Sequence, residues 1–166
     1  MRIEPQALTG ANLTINGIKC KGALVEADLP EHEFITKEVA ASIGKKEIVL
    51  PTLKPQSLKV VVNAVDNAMF KLAFNPSLKR TLIVLENNIS DNDKNTSYKI
   101  VANGKIKKIT PPKIAMEEEI KVEIELSCYA YTELINLTPA FLYDVDNEIL
   151  MPDGITDIYA EIRSNI

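Results

Sequence analysis

The stretch that decides the fold is residues 119–131, which read EIKVEIELSCYAY. Every even position from Ile120 to Ala130 is apolar or cysteine, whereas the odd positions from Glu119 to Ser127 are charged or polar. Successive side chains of a β-strand point to opposite faces of the sheet, so this alternation predicts a strand with one dry and one wet face. Ile124, in the middle of the stretch, should then lie in the core.

A second long strand is predicted over residues 98–109, YKIVANGKIKKI. Its even positions from Tyr98 to Ile106 are apolar or small, and lysines occupy the wet face. Pro111-Pro112 would connect the two strands, and in an antiparallel pair the lysines would stand opposite the glutamates of the first stretch. An exposed ion pair stabilises a protein by only about 0.2–1 kcal/mol, so these pairs would fix the register more than the stability.

Shorter strands are predicted on either side of this pair. Asn16-Gly17, between two alternating runs, is a strong hairpin signal, and we expect its second arm to continue as far as Leu29-Pro30. Residues 57–65 alternate again. The continuous apolar run over 81–85 predicts a strand buried on both faces, and we expect residues 87–97 to form an Asn- and Asp-rich loop. The fold class that follows is mainly β.

One short helix is predicted between these strands. Asp66 can cap a two-turn helix that extends from Asn67 to Phe74. Pro76 should end this helix, because proline excludes the helical conformation at the residue before it. The apolar side of the helix would consist of Met69, Phe70, Ala73 and Phe74.

Residues 31–50 break the alternation. The segment begins with charged residues, continues with a run of small ones and ends with an apolar group. A long excursion inside a compact domain is usually either functional or disordered. We interpret this segment as a flexible assembly loop, which would contact another subunit through Val39, Ala40, Ala41, Ile43, Gly44, Ile48, Val49 and Leu50.

Composition limits the class of protein. The 166 residues suffice for one domain with a buried core, and the apolar share of 46% is ordinary for a globular protein. A net charge of −4, few aromatic residues and no tryptophan argue against a nucleic-acid-binding surface.

The sequence also indicates no targeting or membrane segment. Met1 does not precede an apolar run, and no stretch is apolar enough to cross a bilayer. We therefore expect a cytoplasmic chain without membrane contact.

No pattern in the sequence indicates chemistry. His32 is the only histidine and has no Ser or Cys nucleophile nearby, so we predict a solvated loop residue. Residues 91–95, DNDKN, imitate the start of a calcium loop, but Thr96 replaces the required glycine and Ala102 the bidentate glutamate. We predict a hairpin turn there. The sequence thus predicts no enzyme, no catalytic residues, no cofactor and no metal.

The C-terminal stretch, residues 143–163, reads YDVDNEILMPDGITDIYAEIR. It indicates a strand ending in acids, an apolar extension, a turn at Asp153-Gly154 and a short amphipathic helix that carries Arg163. This order resembles the C-terminal signature of the major tail tube protein of contractile-tailed phages.

The resemblance extends over nearly the whole chain. Residues 13–22 are similar to that family's opening hairpin, and Asp28-Leu29-Pro30 to the strand end before its long loop, in which Gly44 would lie. Residues 98–106 look like its central strand. The main departure is residues 136–141, NLTPAF, where the family would have a tighter hairpin with a glycine.

The resemblance implies a fold, an assembly and a location. Residues 1–166 would form one tail-tube-like domain, an antiparallel β-sandwich or barrel-like fold with one packed short helix and a short C-terminal helix. Six copies would close into a ring, and stacked rings would form the inner tube of a virion tail, assembled in the bacterial host cytoplasm. The lumen or the subunit interface would be lined by Lys99, Lys105, Lys107, Glu119, Glu123 and Glu125.

The implied mechanism is a passive conduit. DNA would pass through the lumen without specific binding, since six copies of a chain with net charge −4 give the ring a surplus of negative charge. The implied partners are the tail sheath, baseplate and tape-measure proteins. Two alternatives remain open: a type VI secretion-like tube protein, and a β-sandwich binding module, which should display clustered exposed aromatic side chains.

Overall fold

The structure, a computed structural model, describes residues 3–67, 70–71, 75, 77 and 79–166. It is mainly β, with 58% of these described residues in strands. In this part of the chain the strands and the C-terminal helix are β1 (Ala7–Ile15), β2 (Ile18–Cys20), β3 (Leu24–Asp28), β4 (Phe34–Ala41), β5 (Gly44–Leu53), β6 (Gln56–Val62), β7 (Thr81–Ser90), β8 (Asn95–Thr110), β9 (Val122–Ile135), β10 (Thr138–Asp144), β11 (Ile149–Met151) and α1 (Ala160–Asn165).

Nine strands form one antiparallel sheet that divides at β9. The order along the sheet is β11-β10-β9-β8-β7-β1-β2. The first half of β9 pairs with β8 on one side and with β6 on the other, and β6 carries β3. The second half of β9 pairs with β10 in place of β6. This division lets the sheet fold over its own core, which confirms the predicted antiparallel β-sandwich.

The predicted dry face of β9 is confirmed over its first half. Val122, Ile124, Leu126 and Cys128 are all buried. The strand begins at Val122, however, so Glu119 and Ile120 lie in the connection that precedes it. The pairing with β8 passes from Cys128 to Ala130, which leaves Tyr129 as a bulge. One extra residue reverses the alternation, and the buried residue of the second half is therefore the odd-numbered Tyr131.

The two faces of β9 can be distinguished by matched substitutions. Ile124 is 1% exposed, so Ile124→Ala should lower the free energy of unfolding by about 2–5 kcal/mol through lost burial and a cavity. Glu123→Gln should change it by less than about 1 kcal/mol, because the Glu123 side chain is 40% exposed beside Lys59. Denaturant melts compare the two variants, and a larger loss for Glu123→Gln would contradict this assignment of the faces.

The predicted dry face of β8 is also observed. Ile100, Ala102 and Gly104 are buried, and a bulge at Lys107 then turns Ile109 toward the core. The predicted pairing of lysines with glutamates occurs at this end of the strand, where Lys107 forms an ion pair of 3.2 Å with Glu125.

Three expectations for the shorter strands were wrong. The Asn16-Gly17 hairpin forms, but its second arm ends at Cys20, and after a turn at Gly22 (φ 69°) β3 pairs with β6. The run over 81–85 is buried on one face only, since Leu82 is 39% exposed. The loop expected over 87–97 is instead strand except for residues 91–94, because the amides of its asparagines bond across the strands.

The predicted helix over Asn67–Phe74 lies largely outside the described residues, as do Met69, Ala73, Phe74 and Pro76. Its described residues Asn67, Phe70 and Lys71 are helical. The amide of Phe70 donates to the carbonyl of Asp66 at 3.2 Å, and the Phe70 side chain packs against the core.

The β9–β10 hairpin turns without a glycine. Asn136 (φ 49°) and Leu137 (φ 64°) both have left-handed backbone, which a two-residue hairpin turn of this kind requires. The side-chain oxygen of Asn136 accepts a hydrogen bond from the amide of Ser97 at 3.0 Å. The register of the last strands is set by this turn, with Thr138 opposite Ile135.

Candidate assembly surfaces

The segment predicted as a flexible loop is a β-hairpin. Strands β4 and β5 pair only with each other and form a separate two-stranded sheet. Ala41 pairs with Gly44, so Ser42 and Ile43 form the tip, and Ile43 is 100% exposed. The structure brings the predicted assembly residues together on this hairpin, where Ala40, Ala41, Gly44, Ile48 and Val49 are exposed and Val39 and Leu50 are half-buried.

The hairpin is attached to the sandwich at its stem. Phe34 pairs with Leu53, and both side chains pack against the core. Beyond this pair, the amide of Lys54 donates to the carbonyl of Glu33 at 2.8 Å, and the two side chains form an ion pair. An isolated two-stranded hairpin is marginally stable in water, so the stem contacts decide how firmly this element is held.

The outward face of β6–β9 carries charges in pairs. The ion pairs are Lys59–Glu123 (3.5 Å), Lys99–Glu86 (3.4 Å) and Lys107–Glu125 (3.2 Å). Lys105 lies opposite Ser127 on the same face. Lys108 lies opposite Glu125 on the same face, so five lysines meet three glutamates and most of the positive charge is compensated. Glu119 is separate from this face, since it lies in the connection before β9 and accepts a hydrogen bond from Asn63.

His32 lies in the connection between β3 and β4 and is exposed there, as the sequence predicted, but its side chain also contacts other strands. Its side chain is 27% exposed and stacks on Phe141, with ring centroids 3.7 Å apart. Nδ1 lies 3.0 Å from Gln56 Oε1, and Nε2 lies 3.3 Å from Glu133 Oε1. The sequence did not reveal these partners, because they come from β6, β9 and β10 and no local pattern indicates that these strands meet.

The charge state of this cluster follows from its hydrogen bonds. The bond from His32 lowers the pKa of Glu133 against the effect of burial, and the Tyr131 and Tyr98 hydroxyls lower it further. Burial, together with the charge and hydrogen bond of Glu133, raises the pKa of both tyrosines, so they remain O–H donors. Tyr131 donates to Glu133 Oε1 at 2.7 Å. Glu133 is thus held as a carboxylate.

The C-terminal segment is fixed by one carboxylate. Asp157 accepts hydrogen bonds from the amides of Leu150 (3.2 Å) and Tyr159 (3.0 Å) and pairs with Arg163 at 2.6 Å. Arg163 also donates to the carbonyl of Glu148. The predicted order of strand, Asp153-Gly154 turn and helix is confirmed, and Arg163 ties the helix back to the turn between β10 and β11.

An apolar groove of about 450 Å³ opens between β3 and the strands β1, β7 and β8. Leu8, Val25 and Ile89 are among the residues that line it. β3 and β1 do not pair here, so the fold is a sandwich with an open seam and not a closed barrel.

Other kinds of site find little support among the residues that the structure describes. No three His, Cys, Asp or Glu side chains in that part of the chain group as a metal site would require. Tyr131 and Tyr143 are buried, so they do not contribute to the exposed aromatic cluster that a sugar-binding module needs. Within the same ranges, no helix has the length and apolar character needed to span a bilayer.

The fold is similar to that of several proteins from contractile machines. They are the tube terminating cap of the anti-feeding prophage (14% identity, TM-score 0.56), a sheath/tube terminator of the extracellular contractile injection system PVC (11%, 0.56) and its sheath-tube complex in the extended state (10%, 0.54). Each match covers 74% of this chain and 86%, 91% and 86% of the respective relative. Comparison with curated protein sequences gives no match.

The fold is therefore of the class found in contractile tubes and their caps. Because the sequence identities are only 10–14%, this similarity concerns the fold alone. The family is given by the sequence itself. The family model described as "Phage tail tube protein FII" matches residues 5–166, and the chain belongs to this family. It is accordingly a structural subunit of a phage tail tube.

Proposed function

We propose that this protein forms hexameric rings that stack into the inner tube of a contractile tail, through which DNA is delivered. The observation that carries the proposal is the separate β4–β5 hairpin on a sandwich of the tail tube family. Its exposed apolar tip and small residues provide close-packing area that the monomer does not use. Burial of such a patch against a neighbouring subunit would drive stacking.

The charged face of β6–β9 is suited to the lumen or to the interface within a ring. Because three of its five lysines form ion pairs with glutamates, a DNA phosphate would meet few uncompensated cations and would be held only weakly. The ion pairs are thus a second reason for weak DNA contact, beside the surplus negative charge expected from composition. The tail sheath would surround the tube, and the baseplate and tape-measure proteins would meet it during assembly in the bacterial host.

A tube of an injection system, delivering cargo other than a phage genome, is the second candidate. It is supported by the solved structures of similar fold, which come from such systems. The nature of the material in the lumen of native tubes would separate the two candidates.

The oligomeric state tests the proposed function. We expect the purified protein to show hexamers or hollow filaments of stacked rings as its concentration rises, by analytical ultracentrifugation and negative-stain microscopy. A strict monomer at millimolar concentration that remains unchanged in the presence of tail components would refute the proposal.

A further inference from the structure

His32 and Gln56 lie on either side of the stem of the β4–β5 hairpin. The chain leaves the sandwich through Glu31, His32 and Glu33, forms the hairpin, and returns at Lys54 to begin β6 with Gln56. Gln56 is buried, and its side-chain Nε2 donates to the carbonyls of Glu31 and Lys54, each at 3.0 Å. A single amide thus joins the outgoing and returning chains.

These two bonds determine which nitrogen of His32 carries a proton. Because both hydrogens on Gln56 Nε2 point at carbonyl oxygens, the atom of Gln56 that faces His32 Nδ1 is its Oε1. Oε1 can only accept a hydrogen bond, so Nδ1 must be the donor. The neutral form of His32 compatible with Gln56 is therefore the one with hydrogen on Nδ1 and a lone pair on Nε2.

The other ring nitrogen faces a group that also only accepts. His32 Nε2 lies 3.3 Å from Oε1 of the Glu133 carboxylate. In the neutral form two lone pairs would oppose each other, whereas the imidazolium can donate to Gln56 and Glu133 at once. Phe141, stacked on the ring, favours a cation over its face.

We propose that His32 is a proton-operated latch that fixes the stem of the β4–β5 hairpin to the sandwich. Protonated His32 bridges Gln56 on β6 and Glu133 on β9, which holds the base of the hairpin against the sheet. Neutral His32 gives up the bond to Glu133, and the stem then depends on its apolar contacts and on the Glu33–Lys54 pair. The latch acts in the single chain and so does not depend on the proposed tube function.

The groups around His32 assign the pH range of the latch. The His32 ring faces Gln56, Glu133 and Tyr131, and Tyr98 lies behind Glu133. The neighbouring residues of the stem contribute Glu31, Glu33 and Lys54. Histidine is the side chain that ordinarily titrates between about pH 5 and 8, and the chain contains no other histidine.

The direction of the effect follows from the shifts. Burial alone would lower the pKa of His32, but the hydrogen bonds to Glu133 and Gln56 and the charge of Glu133 raise it above its ordinary 6.5. The contribution of the latch is then fully present below pH 6.5 and is lost as the pH rises through the raised value. Because the pKa of Glu133 is lowered, its carboxylate is charged at every pH above the ordinary value of 4.5. The latch is therefore closed from about pH 4.5 up to the raised pKa of His32.

Hydrogen exchange at the stem tests the latch. The Lys54 amide, bonded to Glu33, reports on the stem, and the Asn16 amide, bonded to Leu82 at 2.8 Å in a distant hairpin, is the internal reference. Between about pH 5.5 and 8.5, after correction for intrinsic exchange, Lys54 should lose about tenfold protection relative to Asn16. His32→Gln and Glu133→Gln should each give a ratio that does not change with pH.

Nitrogen NMR of His32 supplies a second readout. We expect Nε2 to lose its proton during the titration while Nδ1 retains its own. A pH-independent ratio in the unsubstituted protein would overturn the proposal, and so would the same pH dependence in His32→Gln or loss of the proton from Nδ1. The α-amino group also titrates near this range, but it is common to all variants and cancels in their comparison.

Discussion

Gly104→Ala is expected to destabilise the protein strongly. Gly104 lies in β8 beside the bulge at Tyr129, where the partner strand approaches closely. A Cβ at this position would overlap the carbonyl oxygen of Ser127 and lie 2.8 Å from its carbonyl carbon. These are backbone atoms, so no side-chain rotation relieves the clash.

The backbone itself has little freedom to move. This part of β9 pairs with β8 on one side and β6 on the other, and a shift of Ser127 would disturb both pairings. Overpacking of a core costs about 1–3 kcal/mol when side chains can adjust, so we expect a loss of at least about 3 kcal/mol in the free energy of unfolding. Chemical denaturation monitored by circular dichroism would measure it.

Gly10→Ala is the matched control. Gly10 also lies in a strand, but a Cβ there meets only Asn88 Cβ, at 4.0 Å, and its φ is not in the left-handed region. Alanine reduces the entropy of the unfolded chain, so the control should be neutral or stabilising by about 0.4–1 kcal/mol. Equal losses in the two variants would show that the bulge does not constrain Gly104.

Shortening the β4–β5 hairpin should abolish tube growth while leaving the subunit folded. Glu38 and Glu47 pair directly, so residues 39–46 can be replaced by Asn-Gly, a two-residue hairpin turn. The replacement removes the exposed tip and keeps the stem, where Leu53 enters the core. The free energy of unfolding should therefore change little, and microscopy should find no tubes at concentrations at which the full chain assembles.

A pair of point variants separates a specific contact from general stickiness. Ile43→Ser changes the hairpin tip, and Ile114→Ser changes another highly exposed isoleucine, in the connection between β8 and β9. Each should alter the stability of the subunit by less than about 0.5 kcal/mol. Assembly should weaken in Ile43→Ser alone. Normal tubes from the shortened hairpin, or equal effects of the two isoleucine variants, would remove the hairpin from the assembly mechanism.

The partners of the His32 side chain could not be predicted from the sequence around it. Its immediate neighbours Glu31 and Glu33 suggested a charged, solvated turn, yet the carboxylate that bonds its ring is Glu133, 101 positions away in sequence. Glu133 has no pattern of its own, because it follows the bulge that ends the regular alternation. A contact of this kind depends on how three strands are placed side by side, and strand placement is not encoded by any local period.

The sequence by itself determined the two long central strands and several turns. Period-two alternation placed Ile124 and Ile100 in the core, Asn16-Gly17 specified a hairpin, and Asp153-Gly154 a turn, since each depends on neighbours a few residues apart. Tertiary structure decided what those strands meet. It decided which half of β9 pairs with β6 and which with β10, and where a bulge reverses the faces of the strand. It also decided that residues 34–53 pair as a separate hairpin. The physical reason is that distant backbone groups compete for hydrogen bonds and buried area, and this competition cannot be read from a local pattern.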